Sequence, residues 1–290
     1  MVRRGVSSVF LLFVILGFSY PKLSLAQSEA EPEFNYKWSK QQKLITTNIV
    51  ANTFIGVWGL SVWDYGVRDM HFTNESWFQA NTLHGGADKI GHTYATFGLG
   101  HMFAWYFERW GYTQKEAAAY GALTSLGMHS FMEFGDSFSW FGFSYQDFSM
   151  NVLGAYLAYY LYQHPQRNRY LDLRVEYIPS GTTYDVFTDY QGLKYLAALK
   201  LEAFPWIRSP VLRYLELHTG YFVRGYEKVK EAKQRHVYVA VALNVGRMFR
   251  RQGVKRMDWF LRYFQVPFAY LPATVDLNGA SRAPQLLHYQ

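Results

Sequence analysis

The sequence predicts an α+β protein: an N-terminal bundle of about four apolar helices, followed by a C-terminal part with a few antiparallel strands and short helices. Three observations lead there. Long apolar segments with helical start and stop signals fill residues 42–165, whereas alternation of period two appears only after His164-Pro165. Charge divides at the same place, with residues 166–290 basic and the part before them slightly acidic.

The N-terminus reads as an export signal. Arg3 and Arg4 precede an apolar run from Val6 to Phe18 that is too short to span a bilayer, and Ser24-Leu25-Ala26 is a small-x-small cleavage site. Residues 1–26 are thus a signal peptide, and 27–41 a loosely ordered leader. Four helices are expected next, from Gln42 to Tyr65, Lys89 to Trp110, Thr113 to Phe134 and Tyr145 to Gln163. Thr113 with Glu116 forms a capping box, Ser144 caps the fourth helix, and Gly111 and Pro165 punctuate the ends. Asn, His, Asp or Glu interrupts each apolar stretch, so none is a clean membrane span: either the helices form a compact bundle with one membrane-facing side, the favoured reading, or they cross the membrane with their polar residues turned inward.

The second part, 166–290, is expected to pack on that bundle. Strands are expected over Tyr170 to Ile178, Tyr214 to Tyr221 and Val237 to Asn244, with helices over Gln191 to Ala203 and Gly246 to Phe264. Three strands make a small sheet but not a closed outer-membrane barrel.

Composition narrows the setting. Aromatic residues reach 19%, with 24 Tyr and 9 Trp, which suits a membrane interface. The absence of Cys from a chain bound for an oxidising compartment leaves it neither a disulfide nor a lipid-bearing thiol. The formal charge of +7 includes a run at Arg247, Arg250, Arg251, Lys255 and Arg256 that either meets lipid phosphates or forms a solvated face. Membrane lipid is therefore the expected partner, the bacterial cell envelope, on its periplasmic side, the expected location, and nucleic acid is not a partner because export removes the chain from it. No GxSxG, Walker loop or dinucleotide fingerprint occurs, which removes the corresponding hydrolases, NTPases and oxidoreductases.

Polar residues recur at helical spacing on three of the apolar helices. Asp88 and His92 are four apart; His129, Glu133 and Asp136 stand at i, i+4 and i+7; Asp147, Asn151 and Gly154 repeat that spacing. Each set shares a face, and buried carboxylates without partners are costly, so the three faces are expected to point at one another. Asp88, His92, His129, Glu133 and Asp136 are the candidate ligands of a divalent metal such as Zn, Mn or Fe. Asp88, Lys89, His92, Glu133, Asp136, Asp147 and Asn151 are the candidate catalytic residues: acids to bind metal or activate water, Lys89 to steady negative charge, Asp147 and Asn151 to orient them. A hydrogen-bonded network that merely fixes helix register uses the same residues and stands as the alternative. His84 beside Gly85-Gly86, and Asp64 at the end of the first helix, are weaker candidates, and His101 is expected to face elsewhere.

Glu75-Ser76-Trp77-Phe78, Gly85-Gly86-Ala87-Asp88-Lys89-Ile90-Gly91-His92 and Asp147-x-x-x-Asn151-x-x-Gly154 resemble the YfiM-like family of predicted periplasmic proteins of unknown function. The pairing of a D-K-x-x-H helix with a later D-x-x-x-N-x-x-G helix is more distantly similar to the VanZ-like membrane proteins. These resemblances imply envelope location and a polar cluster, and no particular reaction. Two functional expectations follow: a metal-assisted hydrolase acting on a lipid-linked or cell-wall substrate, or a non-catalytic envelope scaffold.

Overall fold

The computed structural model describes residues 38–183, 185–227, 231–279 and 285–286. The expected signal peptide, and all but the last few residues of the expected leader, lie outside them. Among the described residues the chain is α+β, with helices α1 (Lys40–Val62), α2 (Ala87–Arg109), α3 (Gln114–Asp136), α4 (Tyr145–Gln163), α5 (Val245–Arg251) and α6 (Lys255–Phe260).

Local chemistry fixes the helix ends. Ser39 caps α1 in a reciprocal box with Gln42, Thr113 does the same for α3 with Glu116, and Ser144 Oγ accepts from the Asp147 amide at the start of α4. Gly86, in the left-handed region at φ 86°, turns the chain into α2.

The expected bundle of about four helices is instead a packed trio with a peripheral fourth. Helices α2, α3 and α4 each pack extensively on the other two, while α1 lies mainly against α3. Only Ala51, Ile55 and Gly59 of α1 are buried, so Ile49, Val57 and Leu60 face outward. The trio approaches closely because glycine stands where backbones meet. A Cβ at Gly121 would lie 2.5 Å from Gly100 O, and one at Gly154 would lie 2.4 Å from Thr93 O.

A short parallel pair, β1 (Phe72–Thr73) with β2 (Phe143–Ser144), ties the α1–α2 loop to the start of α4. The main sheet is an antiparallel meander of β3 (Leu171–Tyr177), β4 (Leu193–Lys200), β5 (Leu215–Arg224), β6 (Gln234–Leu243), β7 (Tyr270–Asp276) and the two-residue β8 (Gln285–Leu286), in that order.

Two expectations fail here. Gln191 to Ala203 is not a helix: Leu193–Lys200 forms β4, and only Leu201–Ala203 coils, into a 3₁₀ turn. Its leucines and alanines favour helix, but tertiary pairing on both sides overrides propensity. Extension also puts Lys194 3.0 Å from Glu176 and Lys200 2.6 Å from Asp172, neutralising two buried acids of β3. Gly246 to Phe264 is not one helix but α5 and α6, broken at Gly253, where φ is 80°.

The sheet is polar on its inner face and aliphatic on its outer one. Asp172, Arg174, Glu176, Lys194, Glu216, His218, His236 and Tyr238 share one buried face by register. The sheet curls so far that Lys194 of β4 donates to Tyr270 Oη of β7 at 3.1 Å. On the opposite face, Tyr195 packs against Tyr94 of α2, whereas Val237, Val239, Val241, Leu243 and Leu271 remain exposed.

Candidate functional site

Helices α2, α3 and α4 do turn polar faces toward one another. Lys89, only 1% exposed, stands among three carboxylates: its Nζ is 2.8 Å from Asp88 and 2.8 Å from Asp147, and it is also paired with Glu75. Asp88 and Lys89 come from the first turn of α2, Asp147 from the first turn of α4, and Glu75 from the loop that β1 holds beside it. Gln146 strengthens that hold by donating to Asn74 Oδ1.

One helical turn deeper, His92, Glu133 and Asn151 meet. Asn151 Oδ1 accepts from Thr96 Oγ1 at 3.0 Å and lies 3.2 Å from His92 Nδ1, while its Nδ2 donates to Glu133 Oε1 at 3.3 Å. This network assigns the proton to His92 Nδ1 and leaves a lone pair on Nε2. Nε2 then faces Asp147 Oδ1 across 3.6 Å, and that buried oxygen is also ion-paired with Lys89 Nζ at 2.8 Å.

Two overlapping groups place one donor atom per residue within 4.8 Å of each other: His92, Glu133 and Asp147, and Glu75, Asp88 and Asp147. The arrangement fits a divalent cation. Ligands about 2.1 Å from a zinc-sized ion lie roughly 3–3.5 Å apart, close to the 3.6 Å between His92 Nε2 and Asp147 Oδ1. Imidazole with carboxylates is the donor set of Zn, Mn or Fe.

Electrostatics agree with a site built around a positive charge. Burial, together with the neighbouring Asp147, pushes the Glu75 carboxyl up to about 7 despite Lys89. Burial pushes Asp136 up to about 7, against the Tyr65 hydroxyl beside it, which pulls the other way. Burial and the charges of Asp147, Asp136 and Glu75 raise Glu133 well above the carboxylate range. Burial brings His92 and His129 down to about 4, so both are neutral at pH 7. Lys89 is shifted upward: burial opposes its charge, but Asp88, Asp147 and Glu75 outweigh it.

The sequence-derived set divides. Asp88, Lys89, His92, Glu133, Asp147 and Asn151 converge. His129 and Asp136 stand outside both three-residue groups: His129 is buried with Nδ1 2.9 Å from Ser125 O, and Asp136 lies beside Tyr65, whose hydroxyl donates to Met132 O at 3.0 Å. Tyr65 itself wedges between α1 and α3 at Gly59 and Gly135, where no side chain obstructs it. Asp64 is exposed to solvent, and His101 is engaged by Tyr263 and Ala158 away from the cluster.

Glu75 is the residue that helical spacing misses, because it lies on a loop with no periodicity. It also marks the entrance: a cavity of about 390 Å³ is lined by Asn74, Glu75, Ser76 and Asn81 on one side and Leu83, Trp140 and Phe141 on the other. The His84-Gly85-Gly86 turn beneath it is moulded by the sheet. Tyr221 Oη donates to Gly85 O, Tyr190 packs on His84 at 4.6 Å, and the Tyr226 ring occupies the space a Cβ on Gly85 would need.

Residues 74–163 match a family model described as predicted periplasmic lipoprotein (DUF2279). Every converging residue, from Glu75 to Asn151, falls inside that match. No curated protein and no solved structure matches the chain.

Proposed function

We propose that the chain is a membrane-associated protein of the bacterial envelope whose α2–α4 cluster holds a divalent metal and hydrolyses a lipid-linked or cell-wall substrate. One observation carries the metal reading: Asp147 belongs to both three-ligand groups, and its buried Oδ1, paired with Lys89 at 2.8 Å, also lies 3.6 Å from His92 Nε2. Lys89 offsets Asp147 from one side, and a divalent cation among His92, Glu133 and Asp147 would offset it from the other.

His92, Glu133 and Asp147 would hold the metal, which when bound supplies Lewis acidity toward water or a substrate oxygen. The remaining steps belong to the chain. Asn151 keeps the His92 proton on Nδ1, so that Nε2 stays a ligand. Glu75, at the cavity mouth with its carboxyl near 7, is suited to taking a proton from water and returning it to a leaving oxygen. Lys89 Nζ, held by Glu75, Asp88 and Asp147, offsets the charge of those carboxylates and keeps them together.

Membrane association is supported by the outer sheet face and by α1. Polar residues inside and aliphatic residues outside reverse the usual order of a solvated sheet and match the pattern of one against lipid. Helix α1 is long and apolar enough to cross a membrane, and most of that length is not buried. Periplasmic location is what the matched family's description names, and an N-terminal export signal agrees with it.

The scaffold reading is favoured by one feature. Lys89 already offsets part of the acidic charge, and Asn151 links Thr96, His92 and Glu133 across all three helices without a metal. Metal content separates the two. Elemental analysis of the full chain purified without chelators should find about one Zn, Mn or Fe per chain, lost in Asp147→Asn. Metal-free protein that refuses added Zn, Mn and Fe would leave the scaffold.

A further inference from the structure

A second polar cavity lies at the far end of the molecule, where the chain leaves α4 and where β4, the 3₁₀ turn Leu212–Tyr214, α5 and the segment after α6 meet. Its volume is about 310 Å³, and its charged lining comprises Arg169, Lys200, Arg213, Arg250 and Arg262 against the single acid Glu202.

The acids nearby are already shared. Glu202 accepts from Arg247 and Arg250, and burial, which would raise its carboxyl, is outweighed by those two guanidiniums, leaving it below its ordinary range. Asp258 is 2.8 Å from Arg250 and 3.7 Å from Arg262, and Asp172 serves Lys200 at 2.6 Å and Arg174 at 2.8 Å. Three carboxylates are thus divided among more cations than they can neutralise. Among the described residues Arg213 reaches only the Glu202 carbonyl, at 3.3 Å. The Nε–H groups of both Arg213 and Arg262 are buried with no acceptor among the described residues.

Two Nε–H donors without acceptors and an excess of guanidinium charge, around a space large enough for a small ligand, suit an anion with several oxygens. A phosphate group meets that need better than a carboxylate, because it offers acceptors to three separate forks at once. We propose that this cavity binds a phosphate group, held by Arg169, Arg213 and Arg262. A lipid headgroup and a free phosphate both carry that chemistry.

Two arms distinguish the sources on the purified full chain: calorimetric titration with inorganic phosphate, and flotation with phosphatidylcholine vesicles with or without phosphatidic acid. Binding of phosphate, or of vesicles only when phosphatidic acid is present, supports the site and names its source. Arg213→Gln and Arg262→Gln should each weaken that binding about tenfold, the loss of one charge-assisted hydrogen bond. Arg208→Gln, exposed and outside the cavity, should leave it unchanged. Arg262 is tied to Asp258, so if its variant unfolds, the exposed Arg169→Gln serves instead, with an unaltered melting curve as the check. Failure of both probes to bind, or an equal effect of Arg208→Gln, overturns the proposal.

Discussion

Replacing Lys89 with Met tests whether the α2–α4 cluster is as electrostatically loaded as its geometry states. The variant keeps the side chain's length and removes its charge from among Glu75, Asp88 and Asp147. At 2.8 Å and an effective dielectric of about 20, each pair is worth roughly 6 kcal/mol before desolvation is counted. After desolvation, breaking a buried pair costs about 3–5 kcal/mol. For a chain of this size that is a fall in melting temperature of roughly 6–20 °C. The cost must also depend on pH. Without Lys89 the folded site has to take up protons to stay closed, so it binds more of them than the unfolded chain, and stability recovers as pH falls toward the ordinary carboxylate range. Melting followed by circular dichroism should show the full loss near pH 8 and a much smaller one near pH 5. An equal loss at both would mean that packing, not charge, is what Lys89 contributes, and no loss near pH 8 would remove the cluster's electrostatic basis.

Three further outcomes follow. In metal-free protein the raised carboxyls of Glu75 and Asp136, at about 7, hold extra protons in the folded state, whereas His92 and His129, at about 4, hold fewer. These offset one another from about pH 4.5 to 6.5; above that the histidines are neutral in both states, so stability should fall as pH rises through about 7, while affinity for added Zn or Mn rises, as thermal-shift titration would show. Gly154→Ala puts a methyl 2.4 Å from Thr93 O and should cost about 1–3 kcal/mol in denaturant unfolding, with weaker metal binding because α4 carries Asp147 and Asn151 away from α2. The double change Val239→Asp and Leu271→Asp, on the exposed aliphatic sheet face, should leave melting unchanged and lower recovery with vesicles in flotation; unchanged flotation would remove lipid from that face.

The helices were legible because their signals are local. Thr113 with Glu116 and Ser144 announce helix starts within four residues, and the i, i+4 spacing of Asp88 with His92 and of Asp147 with Asn151 already aims each pair along one face. Convergence followed from the cost of isolated buried charge, which needs no coordinates. What stayed hidden was non-local. Strand β4 contradicts its own helical propensity and exists because β3 and β5 pair with it. Glu75 reaches the site through the pairing of Phe72 with Phe143 and Thr73 with Ser144, which no periodicity encodes. Asp136 shares the face of Glu133 in sequence, yet it lies outside both three-residue groups, beside the Tyr65 ring that Gly59 and Gly135 admit.

The division between acids and walls bears on what the site can select. The residues that converge on Lys89 lie within 74–163, the stretch matching the family model, whereas Tyr190, Tyr195, Tyr221 and Tyr226 come from the sheet half beyond it. Those tyrosines do more than cover the cluster. The Tyr195 hydroxyl fills the space beside Gly91, and Tyr226 Oη donates to Ala80 O at 3.1 Å, fixing the loop that lines the entrance. A substituent larger than hydrogen at Gly91 would stand 2.7 Å from Tyr195 Oη, so α2 and the sheet meet at a distance only glycine permits. The acids thus lie in the matched segment, and the C-terminal sheet packs against the turn that leads to them. Exchanging Tyr221 for Phe removes the hydroxyl that holds Gly85 O while leaving every acid in place. If the acids hold a metal as proposed, elemental analysis of Tyr221→Phe should find the same metal content as in the unaltered chain; a loss would mean that the turn, too, shapes the metal site.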